Sequence, residues 1–141
     1  MEGKKKVPIK EGLFTTPLDP IDSVHLAGSK CTSCGEVFFG KRYSCENCSG
    51  ESMKDIPLSQ RGTLWSYTII NHKPPAGYKG PDPFVPFGLG LVELPDGIRI
   101  LSPIDCDLKK IKIGMALKSE IYRLYENEEG NEVMAFRFKP V

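Results

Sequence analysis

The chain has 141 residues, of which 40% are hydrophobic and 26% charged, which suits one ordinary domain or two small units sharing a core. A net charge of +1 argues against a dedicated nucleic-acid binder, which normally carries a strong basic excess or a basic stripe. No apolar run is long enough to span a membrane, and none follows Lys4, Lys5 and Lys6 to make a secretory leader. A cytoplasmic setting, in which thiols stay reduced, is therefore expected.

Residues 1–25 carry Pro8, Pro17 and Pro20. Proline fixes φ and removes a donor, so an extended arm is predicted, ordered only as it nears residue 26. Val24, Leu26 and Ala27 suit a short strand, with His25 as a surface or packing residue.

Residues 26–55 contain the strongest chemical signal. Cys31-Thr32-Ser33-Cys34 and Cys45-Glu46-Asn47-Cys48 are two C-x-x-C hooks separated by ten residues. Four thiolates at this spacing can close a tetrahedral site, and zinc is the usual occupant, with metal–sulfur distances of about 2.3 Å. Iron in a rubredoxin-like site and a pair of disulfides are the rival readings. Gly35 and Gly50 follow the hooks, where tight backbone reversal can aim amides at sulfur. The predicted hairpin between the hooks has Val37-Phe38-Phe39 and Lys41-Arg42-Tyr43 as arms and Gly40 as its turn.

Residues 56–141 read as β throughout. Met53 to Arg61, with Pro57, is a connector leading into a strand over Thr63–Asn71, dense in β-branched and aromatic residues. Its alternation sets Leu64, Ser66, Thr68 and Ile70 against Trp65, Tyr67, Ile69 and Asn71. Residues 72–86 hold five prolines and two glycines, which exclude regular structure over most of the segment and suit a binding loop. Two apolar runs around Pro95-Asp96-Gly97 predict a hairpin, with Gly88 and Gly90 marking a bend or close backbone approach. After a helical turn or loop at 107–113, strands over 115–125 and 132–138 complete a set of five. Five strands with almost no helix point to a mainly β protein, a rubredoxin-like zinc ribbon followed by a five-stranded OB-fold barrel.

The chain resembles the zinc-ribbon/OB-fold acyl-CoA-associated proteins, known as domain of unknown function 35. The resemblance rests on Gly28–Gly35, Cys45–Cys48, Gly62–Thr68, Pro86–Leu94, Gly97–Arg99, Ile113–Met115 and Phe136–Pro140. It covers nearly everything after residue 26; the proline-containing arm departs from the helical N-termini of many members. It implies a non-catalytic partner of a thiolase-like enzyme, helping to bind or pass on a CoA thioester in a hetero-oligomer. Within the family the chain is most similar to thiolase-associated small subunits.

The residues agree with that implication. Outside the hooks, nucleophile and base chemistry could come only from Cys106, His25 and His72. Asp105 and Asp107 flank Cys106 and disfavour its thiolate. Lys73, Lys79 and Arg99 are candidate phosphate contacts, and Tyr78, Phe84 and Phe87 candidate partner anchors, although each charge alone also suits a solvated surface. The competing class is a single-stranded nucleic-acid module, because zinc ribbons and OB-folds both occur there. An electron carrier holding iron is the third.

Overall fold

The computed structural model describes residues 5–10, 12–15, 18, 23–74 and 83–141. The strands are β1 (Lys6–Pro8), β2 (Ala27–Cys31), β3 (Val37–Phe39), β4 (Met53–Pro57), β5 (Arg61–Ile70), β6 (Phe87–Glu93), β7 (Arg99–Ile104), β8 (Ala116–Glu126) and β9 (Glu132–Pro140). No α-helix forms among the described residues.

The five strands after the ribbon close into the expected barrel. Antiparallel pairs join β5 to β6, β6 to β7, β5 to β8 and β8 to β9. A parallel contact at Ile104 and Phe138 seals the remaining seam, supported by the Asp105 amide donating to the Phe138 carbonyl at 2.8 Å. The order β5-β6-β7-β9-β8, returning to β5, is that of an OB-fold. Leu64, Val92, Leu94, Ile100, Ile104, Leu117, Met134 and Phe138 fill the interior. Residues 107–113 make a turn, and its Ile111 is buried against the same core.

The alternation predicted for β5 breaks at Trp65. Leu64 pairs with Val92 and Ser66 with Leu91, so Trp65 is the extra residue of a β-bulge. Beyond it the phase inverts. Ile69, opposite buried Gly88, now lies on the face of Leu64, whereas Thr68 is exposed. A single slip in register sends every later side chain to the other face.

The predicted connector and one predicted hairpin arm are corrected. Met53–Pro57 is strand β4, paired antiparallel with β2 from Ala27–Pro57 to Cys31–Met53. Pro57 is tolerated because it sits at the end of an edge strand. Lys41-Arg42-Tyr43 is not a strand, and β3 pairs with β2 instead. One residue, Gly40, is too short for the two-residue turns that reverse hairpins. The Arg42 amide is also diverted, donating to Ser29 Oγ at 2.9 Å while that hydroxyl donates to the Gly40 carbonyl at 2.9 Å.

The arm is more engaged than an extended tail. Strand β1 pairs in parallel with Glu132–Met134 of β9, and Phe14 is buried opposite Leu26. Phe14, Val24, Leu26 and Leu58 belong to one apolar cluster with the barrel core. Phe39 of the ribbon meets Phe136 of the barrel edge-on, with centroids 5.6 Å apart. Ribbon and barrel are two sheets built on a common core.

Gly90 sits where backbone and side chains crowd. A Cβ there would lie 2.6 Å from Leu64 Cδ1 and 3.1 Å from the Ser66 carbonyl. Gly90→Ala is therefore expected to destabilise the barrel by about 1–3 kcal/mol in urea unfolding, with the metal content unchanged. An unchanged midpoint would show that the β5–β6 pair is looser than this register.

Candidate metal centre

Strand pairing places the hooks. Cys31 ends β2, and the chain reverses through Thr32, Ser33 and Cys34 into β3, with the Cys31 amide donating to the Glu36 carbonyl at 2.8 Å. The second hook lies in the β3–β4 connection. It is held to the first by the Thr32 amide, which donates to the Ser52 carbonyl at 2.9 Å. The four Sγ atoms lie within 4.8 Å of one another, at 3.6 Å for Cys31–Cys48 and 3.5 Å for Cys34–Cys45. A tetrahedron with metal–sulfur bonds of about 2.3 Å has edges near 3.8 Å, so the cysteines fit a zinc ion. The separations are far outside the ~2.05 Å of a disulfide.

The hooks are near copies. Cys34 N–H points at Cys31 Sγ at 3.5 Å, and Cys48 N–H at Cys45 Sγ at 3.4 Å. In each, the residue after the second cysteine donates its amide to the carbonyl of the first, Gly35 to Cys31 at 2.9 Å and Ser49 to Cys45 at 2.8 Å. That geometry requires left-handed backbone, and both residues adopt it, with φ 83° at Gly35 and 63° at Ser49. The reversal of the second hook thus falls on Ser49 and not on Gly50, whose carbonyl accepts the Cys45 amide at 2.7 Å. Asn47 was not anticipated; its amide group lies 3.6 Å from Cys34 Sγ.

These donors set the thiol chemistry. The Cys34 amide is the main reason the Cys31 thiol is lowered to about 6, and the Asn47 amide group lowers Cys34. At Cys48 the Gly50 amide favours thiolate, but contacts with Cys31, Cys45 and Cys34 and burial outweigh it and push the thiol up to about 12. Four clustered thiols cannot all ionise without a cation to balance them. A divalent ion makes all of them thiolates and displaces their protons. All four coordination positions are then filled by sulfur, leaving none for substrate or water.

The other predicted residues are dispersed. Tyr78 and Lys79 lie outside the described residues. Lys73 is exposed just beyond the end of β5, while Phe84 and Phe87 are half-buried, with ring centroids 6.2 Å apart. Arg99 lies at the opposite end of the β5–β6 hairpin, where its guanidinium covers the Trp65 ring at 3.9 Å and bonds Glu93 at 3.2 Å. There it borders an open groove of about 640 Å³ shared with Arg61, Thr63, Glu93 and Pro95. His25 is a packing residue, its Nδ1 donating to the Leu58 carbonyl at 2.8 Å. Burial, reinforced by Asp107, raises the Cys106 thiol and leaves it a poor nucleophile at neutral pH.

A four-cysteine ribbon built onto an OB-fold barrel defines the class of protein. Residues 22–54 match the rubredoxin-like zinc ribbon domain of ChsH2, and residues 55–121 match the ChsH2 C-terminal OB-fold domain. A DUF35 domain-containing scaffold protein of Methanothermobacter thermautotrophicus is 36% identical over 119 residues, spanning 82% of this chain and 86% of that protein. The benzoylsuccinyl-CoA thiolase subunit BbsA of Thauera aromatica is 26% identical over 117 residues, spanning 83% and 77%. The solved Ltp2-ChsH2(DUF35) aldolase superposes with a TM-score of 0.64 at 21% identity, over 82% of this chain and 84% of that one, and shares the fold. The chain belongs to the ChsH2-type zinc-ribbon/OB-fold family, DUF35.

Two outcomes test the centre. Because a non-glycine residue in left-handed backbone costs roughly 1 kcal/mol, Ser49→Gly should leave metal binding intact and raise the melting temperature; a fall would contradict the hook geometry. Apo-protein should take up one zinc ion per four cysteines, stay colourless and release protons, with affinity rising with pH. Strong visible absorption would mean iron, and proton-neutral uptake would mean that the thiols are not the ligands.

Proposed function

We propose that this chain is a scaffold subunit that docks with a thiolase-type acyl-CoA enzyme and helps present the CoA thioester, leaving bond-making to the partner. The observation that carries this reading is its kinship, across ribbon and barrel together, with a DUF35 scaffold protein and a benzoylsuccinyl-CoA thiolase subunit. The chemistry of the chain supports the same division of labour. A metal enclosed by four thiolates offers no Lewis-acid position, and Cys106 is held as a thiol.

The nucleic-acid alternative is less well supported. In OB-folds the oligonucleotide face is centred on the second and third strands, here β6 and β7. Leu89, Leu91, Leu101 and Pro103 occupy its middle, where a basic groove with stacked aromatics would be needed. Lys73, Phe84, Phe87 and Arg99, together with Tyr78 and Lys79, are our candidates for CoA or partner contact. A cytoplasmic location suits the reduced thiols.

Co-expression with a thiolase-type subunit of the same host is expected to yield a stable hetero-oligomer. Thiolysis should disappear when either chain is left out, and benzoylsuccinyl-CoA is the thioester to assay first. Full thiolytic activity of the large subunit alone would contradict the proposal.

A further inference from the structure

The outward face of β5, β6 and β7 is apolar over most of its length. Buried Gly88, Gly90 and Val92 face Ile104, Ser102 and Ile100 inside the barrel, so the residues between them point outward. These are Leu89 beside Pro103 and Leu91 beside Leu101, continued on β5 by Thr68 and Ser66. Leu101 is 59% exposed, and the bulge turns Trp65 outward at 47%. Apart from Arg99, whose guanidinium covers the Trp65 ring at 3.9 Å, no charged side chain interrupts this area, which is unusual for a water-facing sheet.

One end of the face is charged, and unevenly so. Arg61 stands directly opposite Lys118, both exposed, and like charges facing each other across strands destabilise the pair. Neither forms an ion pair among the described residues. With Arg99 there are three cations here against two carboxylates, Glu93, which Arg99 already engages at 3.2 Å, and Asp96 of the neighbouring turn, which accepts the Ser59 amide at 3.0 Å. The end is therefore net positive, and the same face of a second copy would meet it with no carboxylate but Glu93, which Arg99 engages.

From this asymmetry we infer that the outer β5–β7 face is the docking surface for the catalytic partner. The partner's matching surface is an apolar patch, seated on Leu91, Leu101 and Trp65, bordered by carboxylates that reach Arg61 and Lys118. The inference rests on the scaffold reading, which supplies the partner. Rim charges of this kind govern association rate and salt dependence, and the desolvated centre governs residence time.

The test measures binding of purified full-length chain to the thiolase-type subunit at low and high salt. Leu101→Glu should weaken binding about tenfold or more, with melting temperature and zinc content as in the wild type. The double variant Arg61→Glu, Lys118→Glu should slow association and remove most of its salt dependence. If Leu101→Glu proves unstable, the double variant decides alone. Wild-type binding by both variants overturns the docking face and leaves the scaffold reading standing. Loss of self-association in Leu101→Glu, with partner binding intact, assigns the face to a second copy and also overturns it. Failure of the wild type to bind the subunit removes the scaffold reading, and this inference with it.

Discussion

Four sulfur atoms gathered at the tip of a three-stranded sheet are the constraint on which the rest of the structure depends. Strands of five, three and five residues are too short to be stable alone. At one end the hooks tie the β2–β3 reversal to the β3–β4 connection. At the other, Leu26 and Leu58 sink into the barrel core, and Phe39 abuts Phe136. A structural zinc site can contribute folding free energy of about 10 kcal/mol or more, far beyond what one apolar contact adds. A metal held by Cys31, Cys34, Cys45 and Cys48 would therefore act on position, stiffening a platform whose other end is continuous with the barrel.

Much of this was legible in the residues, and what was hidden was hidden for physical reasons. The cysteine spacing announces the site because few other chemistries need two C-x-x-C hooks, and the five barrel strands follow from their β-branched and aromatic density. Strand β4 was obscured because exposed Lys54 and Asp55 adjoin each other and Pro57 reads as a breaker. The bulge at Trp65 has no local sequence mark; it exists only in the register between β5 and β6. Ser49 in left-handed backbone is invisible because the requirement arises from the hook and not from the residue. The pairing of Arg61 with Lys118 joins positions 57 residues apart in sequence and appears only once the barrel closes.

The placement of polar groups fits a supporting role. Amides and Asn47 stabilise thiolates that a cation then caps, Cys106 is held neutral, and His25 is committed to the Leu58 carbonyl. On β8, two residues beyond Lys118, Glu120 is held below the usual carboxylate range. Burial opposes this shift, but Arg137 and Lys139 prevail, and Arg137 itself stacks on Tyr122 at 4.1 Å. Glu120, Arg137, Lys139 and Asp105 are thus paired within the chain, whereas Arg61 and Lys118 are left in surplus.

In the scaffold proposed above, the metal would hold structure and take no part in turnover. The most direct test replaces zinc by cobalt(II), reconstitutes the proposed complex with a thiolase-type subunit, and compares its thiolysis rate with that of the zinc form. Cobalt accepts the same tetrahedral thiolate site but differs as a Lewis acid. Equal turnover and equal affinity for the catalytic subunit are expected. A turnover that changes with the metal while affinity stays constant would contradict that structural role.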